Sequence, residues 1–364
     1  MPVFEEDPND IKIVHNALKT IDYQRKNNIT EELVIDVQDC GAAYRFLMAV
    51  LATTKGKWLL TGTNRLLQRP ILPLVQFFNA KGASIEKVEA GWRIEGKDFE
   101  INSFEIDTTE TSQFASAVMM VKKEKGERKK AEKQKSGKAA ENSYGLAVLR
   151  SYGLLNPYIK MTQILLDEFD NCLKMAMLAD WSAAVFWLAN AMLTPNAHYF
   201  LKDLHFDELQ GDETIASWFE KWGVCFTEKE NGIEVKRCHS IEIPEQKINV
   251  AQTPDLAMIL AVLSVCYPFT LEMTGVKNLN LKESNRLDIM IKELLKFTKI
   301  EKHSEDAITI YKRTEELPKT FHFDSYNDHR FVMAWSLFKN YGNVNIINSE
   351  CVKKSYPTFN HLII

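Results

Sequence analysis

The stretch PILPLVQFFNAKGASIEKVEAGWRIEG (70–96) joins a helical pattern to two short alternating segments. A helix is predicted from about Pro70 to Lys81, and Gly82 follows it as a typical left-handed helix end. The segments ASIEKV and WRIEG alternate between apolar and polar residues on either side of a charged turn, which predicts a β-hairpin. The stretch therefore predicts one helix–strand–turn–strand unit.

The same order of elements recurs twice further along the chain. A helix near 213–222 ends at Gly223, and the segments VCFTEK and IEVKR flank a turn at 230–232. A third helix, near 285–297, precedes TKIEKH, a turn at 304–306 and AITIYK. Repetition of one supersecondary unit predicts an α/β protein that is assembled from copies of that unit.

The repeated units lie in both halves of the chain, which predicts two similar domains. A length of 364 residues agrees with two domains, since one domain usually takes about 150 residues. We predict domains over 1–174 and 175–364. The join near 172–176 precedes a strongly apolar helix in DWSAAVFWLANAML (180–193).

Composition and charge exclude several classes of protein. The chain is 45% hydrophobic and 26% charged, as in ordinary soluble proteins, and its longest apolar runs are too short to span a bilayer. A net charge of −4 argues against a general nucleic-acid-binding protein. The six cysteines show no CxxC spacing, so we expect reduced thiols in a cytoplasmic protein, with neither a disulfide framework nor a zinc site.

One segment interrupts the repeated pattern. KKEKGERKKAEKQKSGK (122–138) contains nine Lys and Arg against three Glu and no apolar side chain larger than Ala. It has neither the interleaved aromatic residues of an RNA-binding segment nor the apolar face of a membrane-binding helix. We interpret it as a solvated insertion.

Cations collect next to predicted helix starts, where backbone N–H groups and the helix dipole already favour anions. Arg69 precedes Pro70, Lys282 and Arg286 flank Ser284 as a candidate helix cap, and Arg330 ends SYNDHR, in which Asn or Asp can cap the next helix. Each cation alone could be a surface charge. Their recurrence in separate repeats predicts a shared site for phosphate or carboxylate groups.

Carboxylates and polar groups accompany these cations. Asp255 in TPDLAMILA and Glu283 in LKESNR could supply an acid/base pair for group transfer, although each could also be an ordinary ion-pairing residue. The TSQ stretch (111–113) offers hydroxyl and amide donors. His329 can titrate near neutral pH, but a lone His beside a helix cap is more often structural. The sequence contains no GxxxxGK[ST], GxGxxG or HExxH motif, which argues against kinases, dehydrogenases and metallohydrolases.

Seven segments together resemble the motifs of the 5-enolpyruvylshikimate-3-phosphate (EPSP) synthase family, in the order of that family. The resemblance extends from about residue 8 to the C-terminus, and its most specific parts are LKES-R, YNDHR and the last segment. The segments are TGTNRLLQRPI (61–71), TSQFASAVMM (111–120), NPYIKMT (156–162), TPDLAMILA (253–261), NLNLKESNRL (278–287), YNDHRFVMA (326–334) and CVKKSYP (351–357).

The resemblance implies two domains, each with three βαβαββ units, and an active site in the cleft between the domains. Members of the family transfer the enolpyruvyl group of phosphoenolpyruvate to the 5-hydroxyl of shikimate 3-phosphate and release phosphate. The family needs no cofactor and no metal. Its substrates are small anions, so the resemblance also implies no nucleic-acid or membrane partner, and we expect a cytoplasmic monomer.

The resemblance also implies roles for individual residues. Asp255 would take the proton of the attacking hydroxyl, and Glu283 would exchange protons with the enolpyruvyl methylene. Phosphoenolpyruvate would be bound by Gly41, Arg69, Arg286, Arg330 and Lys354, with Arg45 in the same loop as Gly41. Shikimate 3-phosphate would be bound by Thr111, Ser112, Gln113, Tyr158, Asn278 and Lys282.

The sequence departs from the family pattern at several positions. The family opens with a strand and a Gly-Ser-Lys-Ser segment, and here no equivalent precedes the first matching residues. Ala42, Leu155 and Asn285 stand where the family usually has Thr, Ser and Asp. We expect weaker substrate binding from these departures, since one hydrogen bond to a charged group contributes about 1.5–3 kcal/mol. Two alternatives stay open: a catalytically impaired homologue that binds a phosphorylated metabolite or a partner, and a UDP-N-acetylglucosamine enolpyruvyl transferase.

Overall fold

The computed structural model describes residues 7–101, 103–122, 156–168, 179–206, 208–238 and 243–359. The chain divides into two compact units, Asp10–Leu173 and Lys174–Ile364, the latter together with Met1–Asn9. The residues on either side of this division lie outside the described part, so the boundary predicted between 174 and 175 stays a prediction.

The N-terminal unit contains one four-stranded sheet and helices that cover it. The strand order is β1-β2-β4-β3, in which β1 and β2 run parallel and the other two pairs run antiparallel. The elements are α1 (Asn9–Asn27), β1 (Glu32–Asp36), α2 (Gly41–Ala52), β2 (Gly56–Thr61), α3 (Asn64–Leu67), α4 (Leu72–Ala80), β3 (Ser84–Val88), β4 (Gly91–Gly96), α5 (Gln113–Val121) and α6 (Pro157–Glu168).

The stretch 70–96 folds as α4, β3 and β4, which confirms the predicted unit. Gly82 has a φ of +106°, a value that the missing Cβ permits at a helix end. The predicted start at Pro70 is wrong by two residues. The helix begins at Leu72, and the proline in its first turn is Pro73. Pro70 instead lies in the connection before the helix, with its carbonyl accepting a hydrogen bond from Arg45.

The C-terminal unit contains three sheets around a continuous apolar core. Helix α9 lies in that core, and all ten of its residues are buried. The elements are α7 (Trp181–Leu193), β5 (His198–Lys202), α8 (Ile215–Lys221), β6 (Val224–Lys229), β7 (Gly232–Arg237), β8 (Gln246–Asn249), α9 (Ala257–Cys266), β9 (Leu271–Thr274), α10 (Arg286–Leu294), β10 (Ile300–Ser304), β11 (Ala307–Ile310), β12 (Thr320–Asp324), α11 (His329–Ser336) and β13 (Asn343–Ile347).

The two four-stranded sheets have the same topology. In the C-terminal unit the order is β8-β9-β11-β10, with β8 parallel to β9 and the later strands antiparallel. With their helices, both sheets follow the order βαβαββ, which confirms the predicted α/β class. Within the described residues each unit contains one complete copy. The C-terminal unit adds a partial copy, β12-α11-β13, and a sheet of order β5-β7-β6 that contains the second predicted hairpin.

The prediction that all six cysteines are reduced is wrong for one pair. Cys225 and Cys238 form a disulfide. Pairing of β6 with β7 places Cys225 opposite Lys236, and the backbone N–H of Cys238 donates to the carbonyl of Gly223. This register brings the two cysteines together, and it could not be inferred from a spacing of 13 residues.

No helix among the described residues is long and apolar enough to cross a membrane. The basic insertion at 122–138 lies outside the described residues except for Lys122, which ends α5 as its C-terminal cap. Its interpretation as a solvated insertion therefore stays a prediction.

Candidate active site

Three segments of the C-terminal unit carry the predicted charged residues, and each follows the carboxyl end of a parallel strand. Asp255 lies in the short 3₁₀ turn between β8 and α9, and Glu283 lies between β9 and α10. Arg330 lies in the first turn of α11, directly after β12. The carboxyl ends of parallel strands are where α/β proteins usually bind ligands, because the connecting segments converge there. The fold thus brings together residues that are up to 75 positions apart.

Arg286 is the centre of this cluster and is only 1% exposed. Its NH1 donates to Asp255 Oδ1 at 2.8 Å, and its NH2 donates to Glu283 Oε2 at 2.7 Å. Its Nε donates to Asp328 Oδ2 at 2.8 Å. Burial alone would lower the pKa of Arg286, but the three carboxylates outweigh this effect and raise it. The guanidinium therefore stays charged and holds both candidate acid/base carboxylates in fixed positions.

Asp328 holds Arg286 through both Nε and NH2, and none of the surface of Asp328 is exposed. Besides Arg286 Nε, its Oδ2 accepts a hydrogen bond from the hydroxyl of Ser284 at 2.9 Å. Its Oδ1 accepts from the backbone N–H of Arg330, so that Asp328 caps α11. Burial raises the pKa of Asp328, but the charge of Arg286 more than offsets this and lowers it. One ionised carboxylate thus links the start of α10 to the start of α11.

Asp255 has three cations as neighbours. Arg286 NH1 lies 2.8 Å from its Oδ1, Arg330 NH2 lies 3.2 Å from its Oδ2, and Lys282 Nζ lies 3.9 Å from its Oδ1. Burial raises the pKa of Asp255, but the charges of Arg330, Lys282 and Arg286 together hold it well below the usual range. The side chain is 27% exposed, so this ionised carboxylate is accessible to a substrate hydroxyl.

Arg330 is anchored at one end of its guanidinium. Its NH1 donates to the carbonyl of Ser182 at 2.7 Å, at the start of α7. Among the described residues, its buried Nε has no hydrogen-bond acceptor. A buried guanidinium N–H without an acceptor is costly, so this atom is a candidate donor to a bound anion.

His329 is buried, and its Nδ1 lies 3.9 Å from Asp328 Oδ1. Burial and the neighbouring charge of Arg330 lower its pKa to about 4. The imidazole is therefore neutral at neutral pH and cannot serve as a cation for the substrate. This agrees with its interpretation as a structural residue.

Ser284 does not cap α10, contrary to prediction. Its hydroxyl is used by Asp328, and the residue at the formal cap position, Asn285, makes no side-chain cap hydrogen bond. The amide oxygen of Asn280 instead accepts from the backbone N–H groups of Leu287 and Asp288, at 3.0 and 3.3 Å. The preceding 3₁₀ turn folds back onto the helix, which places the capping side chain four residues upstream of the predicted one, Ser284.

The N-terminal unit brings a second set of predicted residues together around the start of α2. The guanidinium of Arg69 lies directly over Gly41, the first residue of that helix. A Cβ at position 41 would lie 2.7 Å from Arg69 Cζ, closer than real side chains approach. The missing side chain of Gly41 therefore allows a cation to lie at a helix N-terminus, which is favourable for binding anions.

Arg45 lies beneath this surface and is 3% exposed. Its NH1 donates to the carbonyl of Gly41 at 3.2 Å and to Gln113 Oε1 at 2.9 Å, and its Nε donates to the carbonyl of Pro70 at 3.3 Å. These contacts link α2, the connection before α4 and the start of α5. They orient the amide of Gln113 so that its NH₂ group points away from Arg45.

The other predicted residues lie at element ends. Gln113 begins α5, Ser112 is its cap residue, and Thr111 Oγ1 accepts from the backbone N–H of Gln113. Tyr158 lies in the first turn of α6, which packs against α5. Asn278 lies in the 3₁₀ turn Lys277–Leu281, and Lys282 directly follows that turn.

Lys354 ends a 3₁₀ turn, Ser349–Lys354, that packs against α11 and hence against the helix that carries Arg330. Leu155, one of the departures from the family pattern, lies outside the described residues. The assignment of these residues to particular substrates stays a prediction.

Sequence reasoning missed two contributors to this site. The sequence predicts Asp328 only as a candidate helix cap, whereas the structure also makes it the buried partner of Arg286, 42 residues away. The carbonyl of Ser182 holds Arg330 across 148 residues. No local pattern signals such contacts, because they depend on how the strands are paired.

These features define an α/β protein with clustered cations and carboxylates suited to small anionic substrates. The profile of the family described as EPSP synthase (3-phosphoshikimate 1-carboxyvinyltransferase) matches residues 9–362. The chain belongs to this family.

Individual relatives agree with the family assignment. The chain is 30% identical to the 3-phosphoshikimate 1-carboxyvinyltransferase of Bacteroides fragilis (strain YCH46), over 90% of this chain and 81% of the relative. It is 27% identical to that of Haemophilus influenzae (strain PittEE), over 97% and 87%. The EPSP synthase structure from Acinetobacter baumannii superposes with a TM-score of 0.58 at 18% identity, covering 90% of this chain and 78% of that one, and shows the same fold.

Proposed function

We propose that this enzyme transfers the enolpyruvyl group of phosphoenolpyruvate to the 5-hydroxyl of shikimate 3-phosphate and releases phosphate. The observation that carries the proposal is the contact of Asp255 and Glu283 with one buried guanidinium, that of Arg286. Both carboxylates lie at the positions that the family motifs assign to proton transfer. The activity belongs to the shikimate pathway, the route to aromatic amino acids.

Two carboxylates are needed because the reaction moves two protons. In the addition step, C3 of phosphoenolpyruvate gains a proton, and the 5-hydroxyl oxygen bonds to C2 while it loses its proton. In the elimination step, C3 loses a proton, the bond from C2 to the phosphate oxygen breaks, the double bond is restored, and the departing phosphate takes up the proton that the hydroxyl lost. We assign the hydroxyl proton to Asp255 and the C3 proton to Glu283.

Substrate binding would make Asp255 a better base. The charges of Arg330 and Lys282 help to keep its pKa low. When the anionic groups of the substrates pair with these cations, their field at Asp255 weakens and its pKa rises toward the value of an effective base. The carboxylate would thus become basic only when both substrates are bound.

The cations would stabilise the charges that develop during the reaction. Arg330 can donate from Nε to phosphoenolpyruvate, and Arg286, fixed by Asp328, can stabilise negative charge without reorganising. In the N-terminal unit, Arg69 over Gly41 and the oriented amide of Gln113 supply further donors. We expect Lys354, Thr111, Ser112, Tyr158, Asn278 and Lys282 to act with them as the family motifs imply.

The assay that tests this function measures phosphate release by the purified protein. We expect release only when phosphoenolpyruvate and shikimate 3-phosphate are both present, and none when UDP-N-acetylglucosamine replaces shikimate 3-phosphate. Turnover with UDP-N-acetylglucosamine as the acceptor, and none with shikimate 3-phosphate, would contradict the proposal. Absence of turnover with either acceptor, together with calorimetric binding of shikimate 3-phosphate, would indicate a homologue that binds without catalysis.

We further propose that the enzyme acts as a monomer in the cytoplasm. Small, freely diffusing substrates and a family that needs no partner support this proposal. Light scattering during size-exclusion chromatography measures the mass in solution, and a monomer should give a mass near 42 kDa.

A further inference from the structure

The turn before α11 has an unusual backbone. The backbone N–H of Asp328 donates to the carbonyl of Ser325 at 2.9 Å, and the two residues between them, Tyr326 and Asn327, have φ values of +52° and +56°. Positive φ at both central positions is the pattern of a type I′ turn, which favours Gly, Asn and Asp. Asn327 suits this backbone, whereas a bulky residue such as Tyr326 is a conformational outlier.

The consequences of this turn reach the candidate active site. Asp328 leaves the turn with its carboxylate on Arg286 and on the backbone N–H of Arg330. A change of φ at Tyr326 or Asn327 would therefore displace the carboxylate that holds the guanidinium of Arg286 and the backbone N–H of Arg330 in the first turn of α11. The backbone must be held in place by something other than its own preference.

Contacts from α10 hold the side chain of Tyr326. Its hydroxyl donates to Glu293 Oε1 at 2.7 Å and accepts from Lys292 Nζ at 3.0 Å. Glu293 is 3% exposed, and its other carboxylate oxygen pairs with Lys296. Burial raises the pKa of Tyr326, which keeps the hydroxyl protonated as a donor. We call the Tyr326–Glu293 hydrogen bond the tyrosine clamp.

Helix α10 thus contacts the turn at two points. Arg286 in its first turn contacts Asp328, and Glu293, seven residues later on the same face, contacts Tyr326. We propose that Tyr326 and Glu293 are positioning residues: the tyrosine clamp holds the left-handed turn so that Asp328 fixes Arg286 and the start of α11. This inference rests on the proposed function, since it deepens the account of the same site.

Removal of one hydroxyl tests the clamp. Tyr326→Phe keeps the ring and loses the hydrogen bond to Glu293. Tyr311→Phe is the matched control, because the hydroxyl of Tyr311 also donates to a glutamate, Glu301, at 2.7 Å on the distant β10–β11 hairpin. We expect Tyr326→Phe to lower kcat/KM for phosphoenolpyruvate about tenfold, the effect of one hydrogen bond to a charged acceptor, with KM for shikimate 3-phosphate within about twofold. The control should retain wild-type kinetics.

A second pair of variants tests the role of the backbone. Tyr326→Ala and Tyr326→Gly both remove the clamp, but only glycine adopts positive φ without a steric cost. We expect Tyr326→Gly to retain several-fold more activity than Tyr326→Ala. A side chain that merely contributed packing would give the opposite order or no difference.

Hydrogen exchange separates this inference from the proposed function. The backbone N–H of Arg330 donates to Asp328 Oδ1, so we expect Tyr326→Phe to accelerate its exchange at least tenfold, while Tyr311→Phe does not. If the wild type turns over and Tyr326→Phe matches it in KM and kcat, the clamp is contradicted. If the wild type shows no turnover, the proposed function fails. The clamp is then decided by exchange alone: faster exchange at Arg330 supports it, and unchanged exchange overturns it.

Discussion

At the scale of single residues, the site pairs three carboxylates with three cations. They are Asp255, Glu283, Asp328, Lys282, Arg286 and Arg330. Arg286 bonds to Asp255, Glu283 and Asp328, and its burial makes each of these contacts strong. A lone buried charge in such a place would be destabilising, whereas a fully paired set is tolerated. The same pairing keeps Asp255 ionised and holds both acid/base carboxylates in fixed positions. Single substitutions should therefore separate catalysis from binding.

Asp255→Asn should lower kcat by about 10²–10⁴-fold, the usual contribution of a general base. The variant keeps the shape of the side chain, so shikimate 3-phosphate should still raise the melting temperature. Steady-state kinetics and thermal unfolding with ligand measure the two effects. Asp288→Asn, at an exposed position of α10, serves as the control. Unchanged turnover in Asp255→Asn would remove this residue from the mechanism.

His329 should make stability depend on pH in a defined window. Its pKa is about 4 in the folded protein and about 6.5 when unfolded, so the unfolded state binds the proton more readily. Stability is therefore lost as pH falls from 6.5 toward 4, by about 2 kcal/mol between pH 7 and pH 5. Because the pKa values of Asp255 and Asp328 are lowered in the folded protein, these two carboxylates reduce its stability only below about pH 4.

Urea unfolding at pH 7 and pH 5 measures this dependence. His329→Gln should reduce the difference in the free energy of unfolding between the two pH values. His198→Gln, at an exposed position on β5, should keep the difference of the wild type. If the free energy of unfolding changes between pH 7 and pH 5 by the same amount in His329→Gln and in the wild type, the imidazole is not buried in its neutral form.

At the scale of elements, the ends of α10 and α11 decide where the charged groups lie. Helix α11 begins as expected, with Asp328 as its cap, because an acceptor before an apolar run is a reliable local signal. The start of helix α10 was not predicted correctly, because its cap is Asn280. This residue lies in a preceding 3₁₀ turn that no periodic pattern predicts. Local capping rules thus succeed where the cap adjoins the helix and fail where the chain folds back.

Asn280→Ala tests the unexpected cap. The substitution leaves two backbone N–H groups at the start of α10 without their acceptor and should destabilise the protein by about 1 kcal/mol. Asn285→Ala changes the formal cap residue, which makes no such bond, and should have little effect. Chemical denaturation of both variants gives the comparison. A larger loss for Asn285→Ala would show that the assignment of the cap is wrong.

At the scale of the whole molecule, the repeated α/β unit was predictable, because helix spacing, strand alternation and closing glycines are local signals. The helices before Gly82 and Gly223, and the hairpins that follow them, fold as expected. Contacts that depend on strand pairing were not predictable. The pairing of Arg286 with Asp328 and the Cys225–Cys238 disulfide both join residues whose spacing carries no signal. The motifs indicated which residues form the site, and the fold shows how they are held.

The central claim is that this enzyme adds shikimate 3-phosphate across the double bond of phosphoenolpyruvate and then eliminates phosphate. Turnover in D₂O tests it most directly, since C3 passes through a methyl group and must exchange hydrogen with acidic groups of the protein such as Glu283. Mass spectrometry should find an enolpyruvyl ether of shikimate 3-phosphate that carries deuterium in its methylene group, formed only when both substrates are present. An enolpyruvyl product without deuterium, or no such product under these conditions, would contradict the account.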